Sequence, residues 1–251
     1  MRISAILLNK NEEAVIGDCL ESIRNLAWEI IILDGGSTDR SLDIGKEFGA
    51  KVVQQTGKDY ASWRNQGKQE AQGEWLLYLD PDERITLLLK EEIKRGVEKD
   101  DPRVGAFAIP RRNFLLGREL KHGGWFPDFQ IRLLRKEKLT SWVGKLHERP
   151  KFEGDLQHLK NPMIHLQPET IEPALSKSIA WSGLEAELLL EANHPPVSWW
   201  RVLRMMITTL FDRAIKKGGI IDGTEGLIES VYQAYHTMII YLKLWEMEPR
   251  K

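Results

Sequence analysis

The chain has 251 residues, 42% hydrophobic and 29% charged, with 36 Lys and Arg against 37 Asp and Glu for a net charge of −1. Such a composition describes a packed core of one large domain, or one domain with an appendage, and excludes both disorder and a whole-molecule polyanion binder such as a nucleic-acid protein. The lone cysteine, Cys19, excludes an internal disulfide and a cysteine-rich zinc cluster, and is consistent with a reducing cytoplasm.

Met1-Arg2 leads into a short apolar run that Asn9-Lys10-Asn11-Glu12-Glu13 interrupts, so no secretory leader is expected. No apolar stretch approaches the roughly 20 residues that span a bilayer. The run Ile3 to Leu8 predicts a buried strand, and Val15, Ile16, Leu20 and Ile23 predict a helix over Glu12 to Leu26. A second strand follows at Glu29 to Leu33, a turn at Gly35-Gly36-Ser37-Thr38, and a helix from Asp39 to Phe48. Lys51-Val52-Val53 is a third strand, Tyr60 to Ala71 a helix stopped by Gly73, and Glu74 to Leu79 a fourth strand. Strands alternating with helices of this length imply βαβ units and a parallel sheet whose strand ends share one edge.

After about Lys99, Asp100-Asp101-Pro102 breaks the preceding helix and the pattern changes. Strands are expected at Gly105 to Pro110 and Phe129 to Leu134, joined by the loop Gly117 to Pro127. Between Arg103 and Lys151 there are twelve Lys and Arg against four acids, a basic middle that is either a solvated face or a site for an anion. From Glu172 onward the chain reads as helical: Ala174 to Ala192, then Ser198 to Lys217 with Ser198 as its cap, then Thr224 to about Trp245. The middle one of these helices mixes Trp199, Trp200, Leu203, Ile207 and Phe211 with Arg201, Arg204, Arg213, Lys216 and Lys217. That is the composition of a helix lying on an anionic membrane surface, or of one packed in a dimer.

Asp80-Pro81-Asp82 places two carboxylates one residue apart where the fourth strand ends. Ligands of an open α/β sheet bind at that edge. Hard oxygen ligands suit Mg2+ or Mn2+ holding a substrate's diphosphate; an ordinary acidic turn is the alternative. Asn9, Asn11 and Glu12 follow the first strand, Asp34 the second, and Arg64-Asn65 lies on the third helix.

Asn9-Lys10-Asn11-Glu12, Asp34-Gly35-Gly36-Ser37-Thr38-Asp39, Arg64-Asn65-Gln66-Gly67, Gly73-Glu74-Trp75 and Asp80-Pro81-Asp82 occur in an order and spacing that resembles glycosyltransferase family 2, the inverting sugar transferases of the GT-A fold. The stretch His122 to Leu133, Lys145-Leu146-His147-Glu148 and Ile221 to Gly226 resemble the lipopolysaccharide-core β-glucosyltransferase branch. One departure is Gly35, where family members commonly carry a second Asp. The expected fold is α/β: a GT-A, Rossmann-like, mostly parallel sheet flanked by helices over 1–170, with a nucleotide-sugar half (1–100), an acceptor-side half (101–170) and a C-terminal helical appendage (171–251).

The resemblance implies donor contacts from Asn9, Asn11, Glu12, Asp34, Arg64, Asn65 and Asp80. It implies an ion on Asp82, with Asp80 on the ribose or a metal-bound water. Asp128 is the expected general base, because inversion needs a carboxylate to take the acceptor's proton; a salt bridge to Arg132 or a lysine is its structural alternative. Arg132 is expected at the donor phosphates or on the surface, and His147 in the metal shell or in a structural role. Trp125 either stacks on a sugar or anchors its loop; Asn11 caps a helix if it does not bind; Asp39 stabilises a helix end; Glu83 is expected in solvent. The resulting expectation is metal-dependent transfer from a nucleotide-diphosphate sugar, UDP favoured, to a glycan or lipid-linked acceptor of the cell envelope. It would take place in the cytoplasm or on the inner face of the membrane. Two alternatives are a sugar-phosphate nucleotidyltransferase, which would need a glycine-rich G-x-G-T-R-type loop after strand one, and a non-catalytic nucleotide-binding scaffold.

Overall fold

Strands form where the sequence is apolar without alternation, because both faces of the sheet are covered. The computed structural model describes residues 2–57, 59–144, 146, 148–167 and 170–248. In chain order the elements are β1 (Ile3–Asn9), α1 (Ile16–Ser22), β2 (Glu29–Asp34), α2 (Ser41–Glu47), β3 (Lys51–Gln54), α3 (Tyr60–Glu70), β4 (Trp75–Leu79), β5 (Glu83–Arg84) and α4 (Leu87–Glu98). There follow β6 (Val104–Leu115), β7 (Arg118–Leu120), β8 (Phe129–Arg135), β9 (Leu139–Val143), β10 (Arg149–Phe152), β11 (Asp155–His158), β12 (Met163–Leu166), α5 (Ile171–Glu191), α6 (Trp199–Phe211) and α7 (Gly223–Met247). The chain divides into two units, Met1–Arg111 with Asp128–His165, and Arg112–Pro127 with Leu166–Lys251.

In the first unit the sheet runs β3-β2-β1-β4-β8-β6. The first four strands are parallel; β8 is antiparallel to both β4 and β6. Alternate residues of β1 and β4 face opposite layers. Ile3, Ala5, Leu7, Trp75, Leu77 and Leu79 join α1 and α4 (Leu89, Ile93, Val97) in one layer. Ile6, Leu8, Leu76 and Tyr78 join Ala61 of α3 and Leu139 and Trp142 of β9 in the other. Cys19 is buried in the first layer, and burial pushes its thiol far above the ordinary range.

Several elements differ from expectation. α1 starts at Ile16 rather than Glu12, because the preceding turn is tied to its neighbour: Asp39 Oδ2 accepts from the Glu13 N–H at 2.9 Å and Glu13 Oε2 from the Arg40 N–H at 2.9 Å. Asn11 therefore caps no helix; it sits at φ 56°. The two-stranded β9–β10 sheet and β5, β7, β11 and β12 were not legible from periodicity.

In the second unit the end of β6 pairs with β7 as a hairpin, Asn113 opposite Leu120. The next loop is held by Asp222, which accepts from the Lys121 and His122 N–H groups at 2.8 and 2.7 Å and faces His122 Nδ1 at 2.7 Å. Helices α5 to α7 pack around Ala186, Val197, Ile240, Tyr241 and Leu244. Ser198 is the residue before α6, but its hydroxyl makes no capping bond. α6 ends earlier than expected, in a π turn at Asp212–Lys216, and Gly218 at φ 71° stops it. No described helix is long and apolar enough to cross a membrane.

Candidate active site

Strand order reverses on either side of β1, and an open α/β sheet takes its ligands beyond the carboxyl ends of the strands at such a point. Asn9 lies opposite Asp34 in register, and Leu79 opposite Leu7, so Asp80 emerges beside them. Asp34 organises the turn that follows β2. Its carboxylate accepts from the Gly36 and Ser37 N–H groups at 3.0 and 3.1 Å, from Ser37 Oγ at 2.5 Å and from Gln54 Nε2 at 3.0 Å. Burial alone would raise its pKa, and these donors outweigh burial and lower it. Its lone pairs are therefore occupied by neighbours within the chain, and it is 1% exposed. Asn9 is likewise buried, donating to Ser37 Oγ at 3.0 Å and Ser41 Oγ at 3.1 Å. Asn11 Oδ1 accepts from the Thr38 N–H at 2.7 Å, and the Glu12 carbonyl receives the Val15 and Ile16 amides. The two loops after β1 and β2 are thus one joined rim.

Gly67 lets α3 approach the sheet closely: a Cβ there would lie 2.6 Å from Ile6 Cγ2. One turn earlier, Arg64 is buried. Its Nη2 donates to Asp80 Oδ1 at 3.2 Å and its Nε to Glu148 Oε1 at 2.8 Å, while the Trp142 ring stacks 4.9 Å away. Asn65 points elsewhere. It donates to the Trp142 carbonyl at 2.9 Å and accepts from the Trp142 N–H at 2.8 Å, so its amide locks α3 to β9.

A row of alternating charges runs from Asp80 across the sheet. Arg132 Nη2 donates to Asp80 Oδ2 and to Glu83 Oε1, the latter at 2.6 Å. Glu83 Oε2 accepts from the Asp80 N–H at 3.0 Å, and Arg111 Nη1 lies 3.4 Å from Glu83 Oε1. Arg111 then grips Asp128 Oδ2 through Nε at 2.8 Å and Nη2 at 2.7 Å, and Gln130 Nε2 donates to Asp128 Oδ1 at 2.7 Å. Burial would raise the Asp80 carboxyl, but the Arg132 and Arg64 guanidiniums hold it well below the usual carboxylate range. Burial would also weaken Arg132's hold on its proton, and Asp80 and Glu83 more than reverse that.

Two expectations are corrected here. Glu83 is fully buried rather than solvated, because two arginines supply its counter-charge. Arg132 is not a surface arginine: it is 5% exposed and turns inward onto Asp80 and Glu83. The partner expected for Asp128 was Arg132 or a lysine; the one found is Arg111.

Asp82 is set apart from this row. Its Oδ1 is buried with no hydrogen-bond partner, and its Oδ2 faces His165 Nε2 of β12 at 3.4 Å. His165 arrives because β12 pairs with β5, setting it opposite Glu83 in register. Both Asp80 oxygens are engaged by arginines, so Asp82 and His165 are the donor pair that fits a divalent cation. Among the described residues no group of three or more His, Cys, Asp or Glu is arranged around one point. His147, the expected third ligand, lies outside the described residues. Trp125, in the second unit, is half-buried and its carbonyl accepts from Asn113 Nδ2 at 3.2 Å. Sequence reasoning missed Arg111 and His165, which reach the site only through long-range strand pairing, and left Glu148 without an assigned role.

A mostly parallel sheet flanked by helices, with an acidic pair at its switch point, is a fold of the GT-A type. Residues 4–147 match the model of glycosyl transferase family 2, and the chain belongs to that family. It is therefore a glycosyltransferase. It is 25% identical over 257 residues to an uncharacterised glycosyltransferase of Rickettsia bellii, across 98% of this chain and 87% of the relative. It is also 25% identical to the lipopolysaccharide core biosynthesis glycosyltransferase LpsC of Rhizobium meliloti, across 99% of this chain and 94% of LpsC. Glucosyl-3-phosphoglycerate synthase of Mycobacterium tuberculosis shares the fold, with a TM-score of 0.50 at 18% identity over 75% of this chain and 77% of that one.

Proposed function

We propose that the protein is an inverting, divalent-metal-dependent glycosyltransferase that moves a sugar from a UDP-sugar to a glycan or lipid-linked acceptor in lipopolysaccharide-type synthesis. The observation that carries this reading is the buried, unpartnered Oδ1 of Asp82 at the end of β4, with His165 beside it. Asp82 and His165 would hold Mg2+ or Mn2+, and when bound that ion supplies charge neutralisation for the departing diphosphate. LpsC, named for lipopolysaccharide core synthesis, supports the acceptor class. The mycobacterial synthase, whose crystals hold Mn2+, UDP and phosphoglyceric acid, supports the donor class.

On this reading residues 1–100 carry the donor contacts. Asn11, Glu12 and the 35–38 turn receive the nucleoside, with Asn9 and Asp34 shaping that turn from beneath. Arg64 and Arg132 fix Asp80 at the ribose. The acceptor hydroxyl oxygen bonds to the anomeric carbon as its bond to the diphosphate oxygen breaks. The leaving group takes that electron pair, and the hydroxyl proton passes to Asp128. Each carboxylate oxygen has two lone pairs, so Asp128 can accept the proton while Arg111 and Gln130 keep it aimed. The carbon passes through an oxocarbenium-like state, as in glycoside hydrolysis.

The test incubates the protein with UDP- and GDP-sugars, Mn2+ and candidate lipid-linked or core-oligosaccharide acceptors, following nucleotide release. UDP should appear only with acceptor and metal. Asp128→Asn should abolish transfer while sparing donor binding, and His165→Ala should raise the Mn2+ concentration needed for UDP binding. Full turnover in Asp128→Asn rejects the base assignment; metal-independent turnover rejects the cation site.

A further inference from the structure

In the second unit, α6 is apolar at every fourth position on a side open to water. Trp199, Leu203, Ile207 and Phe211 are 77%, 45%, 59% and 58% exposed, and Trp200 beside them is 48% exposed. Residues four apart lie on one helix face, so these side chains form a continuous stripe. Ile215, in the π turn that follows, extends it and is half exposed. The opposite side of the same helix packs inward through Val202 and Met205 against the α7 cluster. α6 has no fully buried residue. A contiguous exposed patch of this kind marks a surface that something covers.

Charge identifies the covering partner. From Trp199 to Phe211 the only ionisable residues are Arg201 and Arg204. Their guanidinium carbons lie 5.8 and 5.5 Å from the Trp200 ring. The next turn adds Arg213, Lys216 and Lys217 against a single acid, Asp212. A second copy of the chain fits poorly. Across a two-fold axis a patch meets itself, and α6 would bring arginines against arginines with no acid among its thirteen residues. An anionic bilayer offers both things the helix lacks: an apolar layer for the stripe and phosphates for the arginines. Paired tryptophans at one helix end suit the depth where headgroups meet acyl chains.

We propose that α6 lies in the interface of an anionic phospholipid membrane, with Trp199, Leu203, Ile207 and Phe211 in the acyl boundary and Arg204 at the phosphates, while Arg201 Nη1 donates to the Pro195 and Pro196 carbonyls and holds the loop before the helix. This inference is independent of the sugar-transfer reading, since it rests on none of the active-site residues.

The experiment is flotation of the full chain with vesicles of phosphatidylcholine alone and of phosphatidylcholine mixed with phosphatidylglycerol. The protein should float with the anionic vesicles, less so as salt rises, and little with the neutral ones. Arg204→Glu should weaken anionic binding at least about five-fold, the equivalent of roughly 1 kcal/mol per basic residue at such a surface. Ile207→Glu with Phe211→Glu should weaken it more than about ten-fold, from the apolar burial forgone. Trp199→Ser, in the first turn, gives the same comparison should the double variant melt early. Failure of the native chain to float with anionic vesicles overturns the proposal. So does unchanged flotation of a folded stripe variant. A native dimer in light scattering that the stripe variants split would assign the face to a second copy instead.

Discussion

Replacing Glu83 by Gln changes one oxygen for an amide nitrogen at the centre of the charge row. Glu83 is 0% exposed, and its carboxylate meets Arg132 at 2.6 Å, Arg111 at 3.4 Å and the Asp80 N–H at 3.0 Å. All three neighbours are donors. A glutamine's NH2 group must face one of them, leaving a donor against a donor as well as two guanidiniums short of a counter-charge. Removing one partner of a buried ion pair costs about 3–5 kcal/mol. Asp80 and Asp128 still neighbour the two arginines, so the lower figure applies. At roughly 2–4 °C per kcal/mol for a chain of this size, melting should fall by about 10 °C. The functional effect is separate. Arg111 bridges Glu83 and Asp128, and once loosened it no longer aims the base; a misplacement of about 1 Å costs on the order of a hundred-fold in rate. Thermal melting, UDP titration calorimetry and steady-state turnover together test this. UDP affinity should fall modestly and kcat steeply, and Glu83→Asp should restore part of both. A Glu83→Gln protein with parental melting and parental kcat would refute the idea that this carboxylate holds the site together.

Further outcomes follow from other contacts. Burial pushes the Glu229 carboxyl up to about 7 from its ordinary 4.5, despite the hydrogen bond from Gln233 at 2.7 Å. Between those values the folded chain keeps the proton and the unfolded chain does not, so stability should fall as pH rises through the window and level off above it. The loss is on the order of 3 kcal/mol, and urea melts of Glu229→Gln on both sides of the window should lack it; a variant keeping the parental slope would assign the slope to another group. Asn65→Ala removes both hydrogen bonds to Trp142 and should lower stability by about 2 kcal/mol with UDP affinity unchanged. A large loss of UDP affinity without loss of stability would return Asn65 to the donor site.

The catalytic half of the fold was legible where burial is two-sided. Ile3–Asn9, Glu29–Asp34 and Trp75–Leu79 are apolar runs because helices cover both faces of the sheet. By contrast, Asp155–His158 is exposed at every position and Arg149–Phe152 has no fully buried residue, so neither carries a burial pattern for a sequence reading to detect. The site divides the same way. Asp80, Asp82 and Asp128 stand at the mouths of strands and were recognisable from local motifs. Glu83 was not, because its burial is made tolerable only by Arg111 and Arg132, partners 28 and 49 residues away. His165 was hidden for the same reason: its proximity to Asp82 depends on a two-residue ladder between β5 and β12. Asn9 and Asp34 show the converse. The motif marked them for the donor site, and in the structure their polar atoms face inward and shape the turn after β2.

The sealed position of Cys19 has a practical corollary. Its sulfur is wholly covered and its proton tightly held, so oxidants and maleimides find little thiolate to attack. The molecule should neither crosslink to a sister chain through sulfur nor require a reductant during handling. A fluorophore attached through a newly placed surface cysteine would then report from one location only.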